Sequence, residues 1–142
     1  MIYTENTNKA LCLAYEAHRG QFDKSGVPYV FHPLHLAEQM DDEDSIVAAL
    51  LHDVVEDTAY SLEDLRAMGF PARALEAVAL LTHDPAEPYL SYAARVKENP
   101  VARRVKLADL RHNSDLSRIQ KVTARDLERV EKYAAAIRLL EG

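Results

Sequence analysis

The segment SIVAALLHDVVED, residues 45–57, joins the most apolar stretch of the chain directly to its densest polar cluster. Its composition predicts one helix from Ser45 to Glu56, and the acidic residues 41–44 favour a helix start at its amino end. The helix is apolar almost all round as far as Leu51, and such a helix lies inside a fold rather than at its surface. We therefore expect this helix to be central.

Two pairs of polar residues close the segment, His52-Asp53 and Glu56-Asp57. Residues four apart share a helix face, so the second pair lies one turn beyond the first on the same faces. Buried imidazole and carboxylate groups are costly without partners, and a divalent cation can serve several of them at once. A solvated acidic helix end is the alternative, and this segment alone leaves both interpretations open.

Helical spacing recurs along the rest of the chain, without the alternation that is typical of strands. Beyond the central helix, the predicted helices span residues 7–18, 33–40, 61–69, 71–82, 89–98, 101–116 and 124–140. No linker, repeat or low-complexity segment divides the 142 residues, and this length suits one domain. We predict an all-α fold with a single compact domain over residues 1–142. Aromatic and methionine side chains are expected to pack within it, namely Met40, Tyr89, Tyr92 and Tyr133.

Composition limits the classes of partner. The formal net charge of −6 argues against nucleic-acid binding, which normally needs a basic excess. The amino-terminal residues lack a signal-peptide pattern, and the longest apolar run, Ile46 to Leu51, is too short to span a bilayer. We therefore expect a soluble cytoplasmic protein without a membrane or nucleic-acid partner. The single cysteine, Cys12, lies among apolar residues and is predicted to be a buried structural thiol.

Two other segments add polar residues that a metal site could use. His32 stands at the junction between a loop and the helix that Pro33 begins, and Asp109 and Asn113 share a face of a later helix. Taken singly, a core histidine and a surface Asp/Asn pair would explain them. Together with the His52-Asp53 pair, they favour a metal centre assembled from distant parts of the chain.

Three segments resemble the motifs of HD-domain phosphohydrolases of the RelA/SpoT type, which hydrolyse the alarmone (p)ppGpp. The first contains Ala17-His18, Gln21 and residues 24–33 (KSGVPYVFHP), the second is residues 48–58 (AALLHDVVEDT), and the third is residues 105–113 (VKLADLRHN). In size the chain is most similar to the small stand-alone alarmone hydrolases. The resemblance implies an all-α HD domain and a nucleotide substrate.

The resemblance also implies roles for individual residues. The implied metal ligands are His32, His52, Asp53 and Asp109. Mixed nitrogen and oxygen ligands suit Mn²⁺, which the family usually uses, or Fe²⁺, better than a structural zinc site. Glu56 is implied as the general base and Asp57 as its orienting partner. Lys24 and Asn113 are implied as substrate contacts, and Arg104 and Lys106 are weaker candidates that could equally be solvated.

The departures from the family pattern concern residues that are implied to recognise the guanine base. Asp23 stands where the family has a basic residue that packs on guanine, although its carboxylate could still accept hydrogen bonds from the base. Leu116 replaces a threonine, and residues 110–112 read Leu-Arg-His instead of Arg-Leu-His. The first function to expect is (p)ppGpp 3′-pyrophosphohydrolase. An HD-type nucleotidase or pyrophosphohydrolase for another small phosphoester and a non-catalytic, metal-containing nucleotide sensor are the alternatives. The oligomeric state stays open.

Overall fold

The chain folds into helices joined by short loops, and the computed structural model describes every residue from Met1 to Gly142. One bridge, between Phe22 and Pro28, is the extent of β pairing, which confirms the all-α prediction. A turn of 3-10 helix spans Leu116–Arg118. The α-helices are α1 (Glu5–Ala17), α2 (Phe31–Glu38), α3 (Glu43–Leu51), α4 (Val54–Asp57), α5 (Leu62–Ala67), α6 (Ala72–Leu81), α7 (Tyr89–Lys97), α8 (Pro100–Asn113) and α9 (Ala124–Glu141).

Helix α3 is the centre of the fold, as its sequence predicts. Every residue from Ser45 to Leu51 is buried, and the helix packs against α1, α2, α6 and α8. Its amino end is capped by Asp42, whose carboxylate accepts the backbone N–H of Ser45 at 2.8 Å. Because α3 is enclosed by other helices, the residues that follow Leu51 emerge inside the protein rather than at its surface.

The predicted single helix from Ser45 to Glu56 is wrong at one point, because the chain bends at His52 and Asp53. Both residues keep right-handed helical dihedral angles, with φ/ψ of −59°/−34° and −95°/−7°. The imidazole Nδ1 of His52 lies 2.6 Å from the carbonyl oxygen of Ala49 and so satisfies a backbone acceptor near the end of α3. A new helical turn, α4, then begins at Val54.

The prediction of a buried thiol is also wrong, since Cys12 is exposed. Helix α1 turns Thr7, Ala10 and Ala14 towards the core. Cys12 is two positions from each of those alanines, and two positions correspond to roughly 200° around a helix. The thiol therefore points away from the core although its sequence neighbours are apolar.

Helix α9 closes the side of the molecule formed by α7 and α8. It begins with a capping box in which the side chains of Thr123 and Asp126 each accept a backbone N–H of the other residue. None of the helices combines the length and the apolar character that crossing a membrane requires. The packing of α9 brings Lys132 and Tyr133 to the wall of the main cavity, beside residues of α7 and α8.

Candidate metal centre and active site

Three buried side chains from different parts of the chain meet beside the end of α3. They are His32 of α2, His52 of the bend and Asp109 of α8, and one ligand atom from each lies within 4.8 Å of the others. Nε2 of His32 is 2.8 Å from Oδ1 of Asp109, and Nε2 of His52 is 3.6 Å from the same oxygen. Their side chains are at most 9% exposed, so water does little to solvate them.

Asp53 joins the same cluster. Its Oδ2 lies 3.0 Å from Nε2 of His52 and 3.9 Å from Nε2 of His32. The four side chains that the sequence suggested as metal ligands therefore surround one point, although they come from two neighbouring and two distant positions. The hydroxyl of Tyr29 donates a 2.6 Å hydrogen bond to Oδ2 of Asp53 and ties the loop before α2 to the bend.

The hydrogen bond of His52 to the backbone determines which of its two ring nitrogens is available as a ligand atom. Since the carbonyl of Ala49 can only accept, Nδ1 carries the hydrogen, which leaves Nε2 as a potential ligand atom. Nε2 is buried and has no well-aligned hydrogen bond, yet a carboxylate oxygen lies 3.0 Å away. A positive charge is needed between these two atoms, and either a proton on Nε2 or a divalent cation bound by this donor set supplies it.

The charges of the cluster lead to the same conclusion. Burial lowers the pKa of His52, but the carboxylates of Asp53 and Asp109 outweigh this effect and raise it well above its usual value. Burial raises the pKa of Asp109, and Lys106 with both histidines more than offsets it, so this carboxyl group stays ionised. The cluster therefore stabilises a positive charge at its centre.

His112 supports His32 from the side opposite the cluster. The Nδ1 atoms of the two rings are 2.7 Å apart. Burial, together with the positive charge of Arg118, lowers the pKa of His112 to about 4, so its ring is neutral at pH 7 and can accept a hydrogen bond. If Nε2 of His32 held a cation, Nδ1 would carry the hydrogen and would donate it to His112.

Two residues of α8 hold Asp109. Lys106 donates a hydrogen bond from Nζ to Oδ2 at 2.9 Å, and Asn113 donates from Nδ2 to Oδ1 at 3.1 Å. The side chain of Lys106 is only 13% exposed, so of the two weaker sequence candidates it belongs to the centre. Arg104 does not, because its guanidinium pairs at the surface with Asp41 and Asp42, at 2.8 Å from each.

A cavity of about 490 Å³ opens over the cluster, within the range of small-molecule sites. Glu56, Asp57 and Asn113 line it together with His52, Asp53 and Asp109. Two residues expected to be packing side chains, Met40 and Tyr92, are buried as predicted. Tyr89 and Tyr133 pack against the core. All three tyrosines also form part of the cavity wall, which the sequence did not indicate.

Glu56 is held by a residue that the sequence analysis missed. Its Oε1 accepts the backbone N–H of His83 at 2.5 Å. Partial burial raises the pKa of the Glu56 carboxyl group, and the nearby carboxylates of Asp53 and Asp57 add to this rise. This hydrogen bond comes from the loop after α6, and the role of Asp57 as the orienting partner of Glu56 stays a prediction. A backbone donor of this kind leaves no signal in the sequence.

Lys24 does not line this cavity, although it lines a neighbouring one together with Tyr29, Asn113 and Tyr133. Its Nζ donates to Oδ1 of Asp126 at 2.9 Å, and this ion pair links the loop before α2 to the first turn of α9. Its role as a substrate contact stays a prediction. Asp23 in the same loop is occupied locally, because Oδ1 accepts the backbone N–H groups of Ser25 and Val27 at 2.8 and 3.0 Å.

Comparisons with known proteins agree with this geometry. A family model described as the HD domain matches residues 10–83, just over half of the chain. The GTP pyrophosphokinase of Streptomyces coelicolor is 53% identical over 62 residues, 41% of this chain and 7% of that protein. The guanosine-3′,5′-bis(diphosphate) 3′-pyrophosphohydrolase of Haemophilus influenzae is 47% identical over 58 residues, 38% of this chain and 9% of that protein.

The chain spans less than a tenth of the length of these curated relatives. A solved structure of a metazoan ortholog of SpoT, described as hydrolysing ppGpp, is similar over 100% of this chain and 89% of its own, with a TM-score of 0.78 and 28% identity. The matched residues 10–83 include the His52-Asp53 bend, His32 and Glu56. On the family match and this shared architecture, the chain belongs to the HD-domain family.

Proposed function

We propose that this protein is a metal-dependent phosphohydrolase whose substrate is (p)ppGpp, cleaved at its 3′-pyrophosphate, and that residues 1–142 act as one HD domain. The observation that carries this proposal is the cluster of His32, His52, Asp53 and Asp109 beside a cavity that is lined by Glu56. The names of the pyrophosphohydrolase relatives support the choice of substrate.

The four clustered residues would hold one divalent cation. Two imidazoles and two carboxylates, without a thiolate, favour Mn²⁺ or Fe²⁺. When bound, such a cation supplies Lewis acidity to phosphoryl oxygens and makes water a stronger acid near neutral pH. Tyr29, His112 and Lys106 each hydrogen-bond one of the proposed ligands and would keep the donor atoms in place.

Glu56 would accept the proton of the attacking water. Its carboxyl pKa is raised by partial burial, which brings it nearer to the operating pH and makes it a better general base. The N–H of His83 holds one oxygen, so the other oxygen is available to the water. Asp57 would assist Glu56 from the cavity wall. Asn113, which already donates to Asp109, would contact the sugar or a phosphate of the substrate.

An HD-type nucleotidase or pyrophosphohydrolase acting on another small phosphoester is the second candidate. Asp23 favours it, because the carboxylate is used to close its own loop and its other oxygen lies 3.6 Å from Arg118. A cation for stacking on guanine is therefore not supplied from position 23. This difference concerns the base, and it leaves the proposed metal centre and Glu56 unchanged.

The decisive experiment is a substrate panel. Purified protein loaded with Mn²⁺ is incubated with ppGpp, pppGpp, ordinary nucleoside 5′-phosphates and nucleoside 3′-phosphates, and released pyrophosphate and phosphate are measured separately. We expect pyrophosphate from ppGpp and pppGpp, and none after Glu56→Gln. Release from another compound alone would favour the second candidate. Ligand binding without turnover in both wild type and Glu56→Gln would instead indicate a sensor.

A further inference from the structure

Lys132 of α9 is a cation of the cavity wall that is not paired with a carboxylate. Its ammonium group lies 4.2 Å from the centroid of the Tyr89 ring and forms no ion pair with a carboxylate. The other lysine of the wall, Lys106, is bound to Asp109 at 2.9 Å. Lys132 is thus the lysine of the cavity that remains able to receive an anion.

The charges of the cavity make such a residue important. Its lining includes the carboxylates of Asp53, Glu56, Asp57 and Asp109, which repel a phosphorylated ligand. A divalent cation at the metal centre would offset this repulsion for the phosphoryl group that is cleaved. An anionic group elsewhere on the same substrate would need a separate positive partner.

Tyr89 connects Lys132 to the residues around the proposed metal centre. The Nζ of Lys106 lies 5.8 Å from the centroid of the same ring, so one ring contacts both Lys132 and the lysine that holds Asp109. The ring is itself packed edge-on against His83, with centroids 5.7 Å apart. A cation over an aromatic face keeps its charge and its donors on the side away from the ring.

From these contacts we infer that Lys132, held over Tyr89, is a specificity-determining residue that binds a second anionic group of the substrate while another group is cleaved at the metal centre. The inference rests on the proposed function and adds to it a residue that recognises the end of the substrate that is not cleaved. For a guanosine substrate cleaved at its 3′-pyrophosphate, the second group is the 5′-diphosphate. Binding there selects substrates that carry this second group over those that lack it.

The test compares two substrates that share the cleaved group. Wild type, Lys132→Gln and the control Lys121→Gln are assayed with Mn²⁺ on ppGpp and on guanosine 3′-diphosphate, which lacks the 5′-diphosphate. Lys121 is an exposed lysine before α9 that does not line this cavity. We expect Lys132→Gln to raise KM for ppGpp roughly tenfold, the usual size of one charge-assisted contact. Its kcat, and its KM for guanosine 3′-diphosphate, should stay near wild type.

A binding measurement separates this inference from the proposed function. GDP, which carries the 5′-diphosphate but no 3′ group, is titrated calorimetrically into the three proteins with Mn²⁺ present. If none of the proteins cleaves ppGpp but Lys132→Gln binds GDP more weakly than Lys121→Gln, the proposed function fails and the inference stands. The inference is overturned if Lys132→Gln affects both substrates equally. It is also overturned if the KM for ppGpp and the affinity for GDP are both the same in Lys132→Gln and Lys121→Gln. If GDP binds to none of the proteins, an unchanged KM for ppGpp is enough to overturn it.

Discussion

Tyr29 and Asp53 are joined by a 2.6 Å hydrogen bond to Oδ2, the oxygen that also lies 3.0 Å from Nε2 of His52. The loop before α2 therefore helps to orient the carboxylate of Asp53 in the proposed metal centre. We expect Tyr29→Phe to weaken Mn²⁺ binding by about tenfold, because ligands lose affinity when their hydrogen-bond partners are removed. Calorimetric titration measures this, with Tyr60→Phe as a control, and equal affinities in the two variants would contradict the prediction.

Removing a carboxylate from the centre should separate metal binding from folding. We expect Mn²⁺ to raise the melting temperature of the wild type, since a ligand at about 100 times its Kd adds about 2.7 kcal/mol to the unfolding free energy. Asp53→Ala should abolish this rise, whereas Glu128→Ala, on the exposed side of α9, should retain it. Thermal melts with Mn²⁺ and with EDTA provide the measurement. A variant of Asp53 that still binds one equivalent of Mn²⁺ would show that the ligand assignment is wrong.

Glu56→Gln should affect turnover without affecting metal. The glutamine oxygen can still accept the N–H of His83, so the local structure is expected to persist while the proton acceptor is lost. General-base catalysis contributes about 10²- to 10⁴-fold, and kcat should fall within that range with Mn²⁺ affinity unchanged. Asp57→Asn serves as the comparison and should have a smaller effect. If kcat is unchanged in Glu56→Gln, another group accepts the proton of the attacking water.

The raised pKa of Glu56 predicts how activity falls at acidic pH. Partial burial and the neighbouring carboxylates raise the pKa of Glu56 above its ordinary value, which is about 4.3. A general base works only when unprotonated, so kcat/KM should fall with decreasing pH through this raised value rather than through the ordinary one. The profile is measured at saturating Mn²⁺ with separate checks of metal binding. A fall in kcat/KM centred at or below the ordinary glutamate pKa would contradict the assignment of Glu56 as the general base.

The ion pair between Lys24 and Asp126 should stabilise the start of α9. Hydrogen bonds from Lys24 and from Thr123 hold the pKa of the Asp126 carboxyl far below its usual range. A depressed folded-state pKa adds stability above the unfolded value, about 3.9, and this stability is lost as the pH falls towards the folded value. Lys24→Gln and Asp126→Asn should therefore both lower the urea midpoint at pH 7, and lower it less at pH 3.

These two variants also test the role that the sequence suggested for Lys24. A structural lysine predicts that Lys24→Gln and Asp126→Asn are destabilised alike, with little change in KM. A phosphate contact predicts a higher KM in Lys24→Gln at an unchanged urea midpoint. The comparison needs only stability and steady-state measurements on the same preparations.

The sequence predicted the central helix and the cluster of polar residues that follows it. The apolar residues 45–51 predict a central helix because a helix that is apolar all round has to be enclosed, and α3 is enclosed by four others. His52-Asp53, His32 and Asp109 could be assembled because the three motifs fix their order and spacing. The bend between α3 and α4 was not predictable, since no glycine or proline marks it, and the contact of the His52 side chain with the carbonyl of Ala49 that accompanies it is visible only in the structure.

Other features depend on tertiary contacts that no local pattern encodes. The backbone N–H of His83 reaches Glu56 from the loop after α6, and any residue except proline could donate it. The partner of Lys24, Asp126, is 102 positions away. Cys12 was misplaced because apolar neighbours indicate a core-facing helix but not the direction in which one side chain points.

Asp109 and its supports lie on α8, in the third family-like motif but outside the residues 10–83 that the family model matches. The match to the family model and the complete proposed centre are therefore separable by mutation. A related chain can keep the whole amino-terminal half and still be a pseudoenzyme through one change in α8. If the proposed centre is correct, Lys106, Asp109 and Asn113 are the positions that would distinguish active from inactive members of the family.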